Sequence, residues 1–381
     1  MRPRRFSRVL ALLSGVAGWV SCGAVFFTPA PPEQPPITWG ASVVISDPAT
    51  FTDAGPDARG INPGTFGAWY PRMLKLADGA WLSTYGVFDN NGYLQDPTGG
   101  VRQQMARSTD AGRTWTVRAT LADPGRDLEN GQMIELANGD VLMAARSVRW
   151  EESYRLPIFR SHDRGATWSY LSTIDANEGT PGSLGNPPQG VYEPHFGFLA
   201  DGSLAVMYAN EKHVVENPSY SQILSQRIST DGGSTWGNEI WVAAQAGAAR
   251  PGMPVWTRTN NGNYLVVYEL CGTDDCNIYH KSSSDGVTWP AELGQRVTSQ
   301  RGGPYVLLLS NGTLLLTSNS GVVSTSGDNG STWQKVDPPP FSAAIAWPAL
   351  YQTGEKEIAM VVSMGRPQGG ARIVARFGTL N

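Results

Sequence analysis

The sequence predicts an all-β fold, a six-bladed β-propeller. Three observations carry this expectation. An octet of the form Ser-x-Asp-x-Gly-x-Thr-Trp begins at Ser108, Ser161, Ser229 and Ser326, and a fifth begins at Ser282 with Ser284 where the others have Asp. A second repeat, a short turn between alternating apolar strands, lies between the octets. The composition fits a turn-dense aromatic β-protein: 44 Gly, 27 Pro and 13 Trp in 381 residues, with only 16% charged. Strict recurrence at a fixed spacing is the signature of a repeat architecture.

From the N-terminus, Arg2, Arg4, Arg5 and Arg8 precede an apolar run from Val9 to Phe27, and a Pro-rich stretch follows from Thr28 to Pro36. This reads as an export signal over residues 1–27 and a linker over 28–39. A cleaved signal, a signal anchor long enough to span a bilayer and a lipoprotein signal at Cys22 are its three forms. Each places the folded part, residues 40–381, outside the cytoplasm: secreted, or membrane-attached only through this segment. Cys271 and Cys276 in CGTDDC then suit a short-loop disulfide. Two thiols without a nearby third ligand do not make a metal site.

The blades follow in order. Hairpins are read at Leu74–Tyr85, Ile134–Ala145, Phe196–Tyr208, Thr257–Tyr268 and Val306–Thr317. Each has Asp-Gly or Asn-Gly between β-forming residues, a strong hairpin signal. One unit reads strand, turn, strand, loop, strand, octet, strand, which is one four-stranded blade. Ala343–Met364 supplies a sixth hairpin with a degenerate turn at Gly354 and no octet. The last strand, Ala371–Gly378, is expected to pair with Ala41–Ser46 and close the ring, removing exposed edges. The longest insertion, about Asp175–Gly190, is rich in Gly, Pro and Asn and is expected to lie over one face.

Within the octet, Asp accepts hydrogen bonds from amides further on, Gly supplies positive φ, and Trp anchors the next strand. The octets are similar to the Asp-box repeats of sialidase-like propellers. Their role is structural.

Counting from the turn glycines aligns the blades. Nine residues before Gly79, Gly139, Gly202, Gly262 and Gly312 lie Tyr70, Asn130, Glu193, Met253 and Gly303; seven after lie Gly86, Arg146, Ala209, Glu269 and Asn319. Both sets fall at the end of the hairpin opposite the turn. Glu193 and Glu269 thereby come to equivalent ends of neighbouring blades. Two carboxylic acids facing one site are what glycosidic bond cleavage requires. Arg72, Asn130, Arg146, Tyr192, His195 and Tyr268 are the candidate substrate-binding residues around them, and Glu211 is a further acid on the same rim.

The segments Tyr192–Glu211 and Gly252–Glu269, with Tyr70–Arg72 and Asn130–Arg146, resemble glycoside hydrolase family 93, the exo-α-1,5-L-arabinanases. The similarity runs from about Trp69 to Gly321. It implies a retaining exo-enzyme that releases arabinobiose from linear arabinan, with Glu193 as acid/base and Glu269 as nucleophile. It implies no cofactor and no metal, a polysaccharide substrate and a monomer. A formal net charge of −4 gives no basic face for nucleic acid. Two rivals remain. A sialidase would draw on Arg72, Arg146, Arg227, Arg250 and Arg301, but the chain reads YPRM at Tyr70–Met73 instead of the Arg-Ile-Pro expected there. The other is a non-catalytic carbohydrate-binding propeller, since fold alone does not decide function.

Overall fold

The computed structural model describes residues 37–48, 67–88, 93, 100–367 and 369–381. The export-signal reading of residues 1–27 lies outside them. Among the described residues no helix is long and apolar enough to cross a membrane.

Among the described residues there are six antiparallel blades, and their inner strands touch in ring order. Blade 1 holds β2 (Gly67–Lys75), β3 (Trp81–Phe88), β4 (Arg102–Ser108) and β5 (Thr116–Leu121). Blade 2 holds β6 (Asp127–Glu135), β7 (Val141–Arg149), β8 (Ser153–Ser161) and β9 (Ser169–Glu178). Blade 3 holds β10 (Val191–Phe198), β11 (Leu204–Asn210), β12 (Ile223–Ser229) and β13 (Ile240–Ala243). Blade 4 holds β14 (Arg250–Arg258), β15 (Tyr264–Cys271), β16 (Asn277–Ser283) and β17 (Gln295–Arg301). Blade 5 holds β18 (Tyr305–Leu308), β19 (Leu314–Thr317), β20 (Val323–Ser326) and β21 (Gln334–Val336). Blade 6 holds β22 (Ile345–Gly354), β23 (Glu357–Gly365) and β24 (Ala371–Leu380), completed by the N-terminal β1 (Ile37–Ser46) antiparallel to β24. β1 begins at Ile37, inside the stretch read as linker, because Ile37-Thr38-Trp39 continues the pairing with Leu380, Thr379 and Gly378.

The Asp boxes close as turns. In blade 1 the Ser108 hydroxyl donates to Asp110 (2.7 Å), while Asp110 accepts from the Thr114 amide (2.9 Å) and hydroxyl (2.6 Å). Those bonds hold the Asp110 carboxyl down at about 2. The boxes also staple blades together. Trp289 Nε1 of blade 4 donates to Gln226 Oε1 of blade 3 (3.2 Å), and Gln226 Nε2 returns a bond to Gly286 O (3.0 Å). The fourth box corrects the octet reading. Asp285, not the residue at position 284, makes the turn: it accepts from Ser283 Oγ, Val287 N and Thr288 N. That box is one residue shorter than the others.

One backbone device recurs on the inner strands. Tyr70, Asn130, Glu193, Met253, Gly303 and Trp347 all have φ between 48° and 59°. In five blades the strand register slips there by one residue, as in a β-bulge. The next residue is Pro71, Pro194, Pro254, Pro304 or Pro348, and Gly131 in blade 2. Proline has no N–H to offer the ladder, so a bulge is where it fits an inner strand. Blade 2 uses Gly because a Cβ at position 131 would fall 2.3 Å from Gln103 Oε1.

Candidate active site

The bulge frees an amide at the axis, and a neighbouring blade satisfies it. The Tyr70 amide donates to Ser363 Oγ (3.0 Å) and the Trp347 amide to Asn319 Oδ1 (2.7 Å). In blades 4 and 5 the acceptors are carboxylates: Met253 N donates to Glu193 Oε2 (2.8 Å), and Gly303 N to Glu269 Oε2 (2.7 Å). Each glutamate is thus pinned by backbone from the following blade.

The two carboxylates converge over Gly252, the strand partner of Glu269. A methyl built on Gly252 would lie 3.6 Å from Glu193 Oε2 and 3.7 Å from Glu269 Oε1. Oxygens that both lie so close to one point fall well inside the ~9.5 Å upper limit for paired carboxylates in glycosidases. They open into a cavity of about 420 Å³ lined by Arg146, Trp150, Tyr154, Tyr192, Glu211, Gln222, Arg250 and Cys271, with Glu151, Gly185 and Pro188 along one wall. Gly185 and Pro188 belong to the insertion after β9, which folds back onto blade 2: Leu184 N donates to Glu151 O (3.0 Å) and Gly179 N to Glu152 O (2.8 Å).

Burial dominates the electrostatics. It pushes the Glu193 carboxyl up to about 7, and the charge of Glu269 adds to this, while Arg146 and the Met253 amide oppose it. Glu269 is also raised by burial, but the Gly303 amide and Arg250 hold it back. Each arginine is already matched. Arg146 pairs with buried Glu129 and sits 5.2 Å from the ring centres of both Trp150 and Tyr192. Arg250 pairs with buried Glu211 and donates to Gln222 Oε1 (2.9 Å). Glu211 in turn accepts from Gly190 N (3.0 Å), and its charge, after burial, raises the Tyr192 hydroxyl.

Of the residues singled out in the sequence, Glu193, Glu269, Arg146 and Tyr192 line this cavity, as does Glu211. Tyr268 does not: it is fully buried, its hydroxyl donates to Leu293 O, and its ring stacks near Tyr279. Asn130 occupies the blade 2 bulge. Arg72 and His195 lie buried on the axis against Tyr305 rather than in the cavity. Trp150, Tyr154 and Gln222 were not anticipated. They sit in loops or at strand starts, where no repeat spacing marks them. The Glu-Pro and Met-Pro pairs at positions 193–194 and 253–254 were the available sequence signal for the bulges. The Cys271–Cys276 disulfide is present, with Cys271 at the cavity edge. Among the described residues no cluster of His, Cys, Asp and Glu could hold a metal ion.

The fold is a propeller in which two partly buried carboxylates converge over one cavity. No protein-family profile matches the chain, and no curated sequence does. Solved structures do match it in fold. The GH93 α-L-arabinofuranosidase of Fusarium graminearum, in complex with arabinobiose, aligns with a TM-score of 0.72 at 23% identity, over 90% of this chain and 98% of that one. An α-L-arabinanase of Penicillium chrysogenum, also complexed with arabinobiose, aligns with a TM-score of 0.70 at 23% identity, over 89% and 98%. A Hadza microbial sialidase, Hz136, aligns with a TM-score of 0.59 at 15% identity, over 82% of this chain and 66% of that one.

Proposed function

We propose that this protein is a retaining exo-glycosidase that releases arabinobiose from the non-reducing end of linear α-1,5-L-arabinan. The observation that carries this is the convergence of Glu193 and Glu269 over Gly252 within one cavity. A retaining enzyme needs its carboxyl groups ~5–5.5 Å apart, a spacing compatible with two oxygens at 3.6 and 3.7 Å from a common point.

The roles follow from the surroundings. Glu193, pushed up to about 7, keeps a proton near neutral pH and can deliver it to the leaving oxygen. Glu269, oriented by the Gly303 amide and faced by Arg250, attacks the anomeric carbon. A covalent glycosyl-enzyme results. Glu193, now deprotonated, draws a proton from water, and the water releases the sugar. The wall formed by Gly185 and Pro188 suits a site that receives a chain end.

The charge balance favours a neutral sugar over a sialoside. Among the described residues, both cavity arginines are already paired with carboxylates. Glu269, the anion of the pair, adds negative charge, which would repel a substrate carboxylate.

The test is incubation of the purified protein with debranched arabinan and chromatography of the early products. Arabinobiose as the sole early product supports the reading. Activity that survives in both Glu193→Gln and Glu269→Gln would overturn the site. Cleavage of a sialoside with none of arabinan would overturn the substrate.

A further inference from the structure

A second feature of the axis is independent of the hydrolase reading. Arg72, on β2 just past the blade 1 bulge, is 2% exposed. Its Nη1 donates to Pro71 O (2.7 Å) and Trp347 O (3.3 Å). Its Nε and Nη2 are buried without a hydrogen-bond partner. No carboxylate balances the charge, since no ion pair to Arg72 exists among the described residues. What surrounds the guanidinium is aromatic: its carbon lies 4.0 Å from the Tyr70 ring centre and 5.5 Å from that of Tyr305.

His195, from blade 3, packs against the same Tyr305, with ring centres 6.2 Å apart. It is 8% exposed, and its Nδ1 is also buried without a partner. Burial, and then the charge of Arg72, hold this imidazole neutral, so it has a single N–H to offer. Two non-adjacent blades therefore bring unmet buried nitrogens to one aromatic wall.

A cation taken out of water needs a counter-charge or a full set of hydrogen bonds. Arg72 has one positive charge, donors on two adjacent nitrogens and no second cation beside it. That matches one small monovalent anion and not a sulfate or phosphate, which would remain under-neutralised. We propose that Arg72 and His195 hold a halide, chloride under ordinary conditions, on the propeller axis. The neutral imidazole places its proton on Nδ1 and donates it to the ion. The anion would lock the inner strands of blades 1 and 3 around Tyr305.

Crystals of the full chain soaked in sodium bromide test this by anomalous diffraction at the bromine edge. The expected result is a peak within hydrogen-bond reach of Arg72 Nε or Nη2, lost in Arg72→Met crystals. If Arg72→Met fails to fold, His195→Phe keeps the cation and removes one donor, and bromide occupancy should fall several-fold. Wild-type crystals without an anomalous peak there, whether or not water density occupies the position, would overturn the proposal. So would undiminished occupancy in His195→Phe, for the part assigned to the imidazole.

Discussion

Gly252→Ala tests the convergence of the carboxylates directly. The backbone tolerates the change, because Gly252 is not among the residues with positive φ. The new methyl would lie 2.7 Å from Gln222 Nε2, too close for carbon and nitrogen, so Gln222 must swing away. That breaks its bond to Pro251 O (2.8 Å) and loosens its bond from Arg250 (2.9 Å). At about 0.5–1.5 kcal/mol for a neutral bond, and more for one to a charged group, the fold should lose about 1–3 kcal/mol. Activity should fall as well. The methyl fills the space 3.6–3.7 Å from both carboxylates, where the proposed reaction would place a sugar carbon. A misplacement of about 1 Å at a reacting centre can cost on the order of 100-fold, or about 2.7 kcal/mol of barrier. The assay is kcat/KM on linear arabino-oligosaccharides, with circular dichroism melting as the control for folding. A Gly252→Ala variant that melts normally and keeps kcat/KM within about threefold of wild type would refute the placement of the chemistry over Gly252.

Three more expectations can be measured together. The rate should fall on the alkaline side as pH passes about 7, where Glu193 loses its proton, and a pH–rate profile that stays flat from 6 to 9 would count against Glu193 as the acid. Linkage gives the sign for stability. Glu193 titrates higher in the folded protein than its ordinary 4.5, so its contribution is full below 4.5 and is lost as pH rises to about 7. Glu193→Gln should therefore stabilise the fold at pH 8, by up to about 3 kcal/mol, and by little at pH 4. Denaturant melts at the two pH values read this difference, and an equal effect at both would contradict the burial argument. In the fourth Asp box, Asp285→Ala should lower the melting temperature while Ser284→Ala leaves it unchanged, since only Asp285 caps the turn.

The propeller was legible because its signals are local. A box closes on itself through one Asp and one Thr, and a hairpin through two turn residues, so each appears as a short string. The sixth blade lacks a box and was still readable from its alternation and a turn at Gly354. The carboxylate pair was legible for a related reason. In blades 1 to 5 the positive-φ residue sits at one fixed distance from its turn, so counting back from glycines brought Glu193 into line with Met253. Tyr268 shows where the same counting misleads. Adjacent strand residues face opposite sides, so when Glu269 points to the cavity Tyr268 enters the core. Tyr192 escapes this rule because the bulge at Glu193 breaks the alternation. Gln222, Trp150 and Tyr154 come from segments outside the repeat, and only the folded chain brings them together.

The ring explains why glutamates stand where they do. Tyr70, Met253, Gly303 and Trp347 each turn an amide towards a neighbouring blade, and an inner-strand amide without a ladder partner needs an acceptor. Ser363 and Asn319 meet that need with neutral groups. Glu193 and Glu269 meet it with carboxylates, which the same amides fix in direction. An amide bond alone would lower both carboxyls. Glu193 nevertheless ends near 7, because its burial and the facing carboxylate outweigh the Met253 bond. Glu269 is raised by burial too, against the Gly303 amide and Arg250, as Glu193 is against the Met253 amide and Arg146. Of these two residues held by the same structural device, only Glu193 has a facing carboxylate that adds to burial. A two-carboxylate reaction needs one group that keeps its proton while the other attacks.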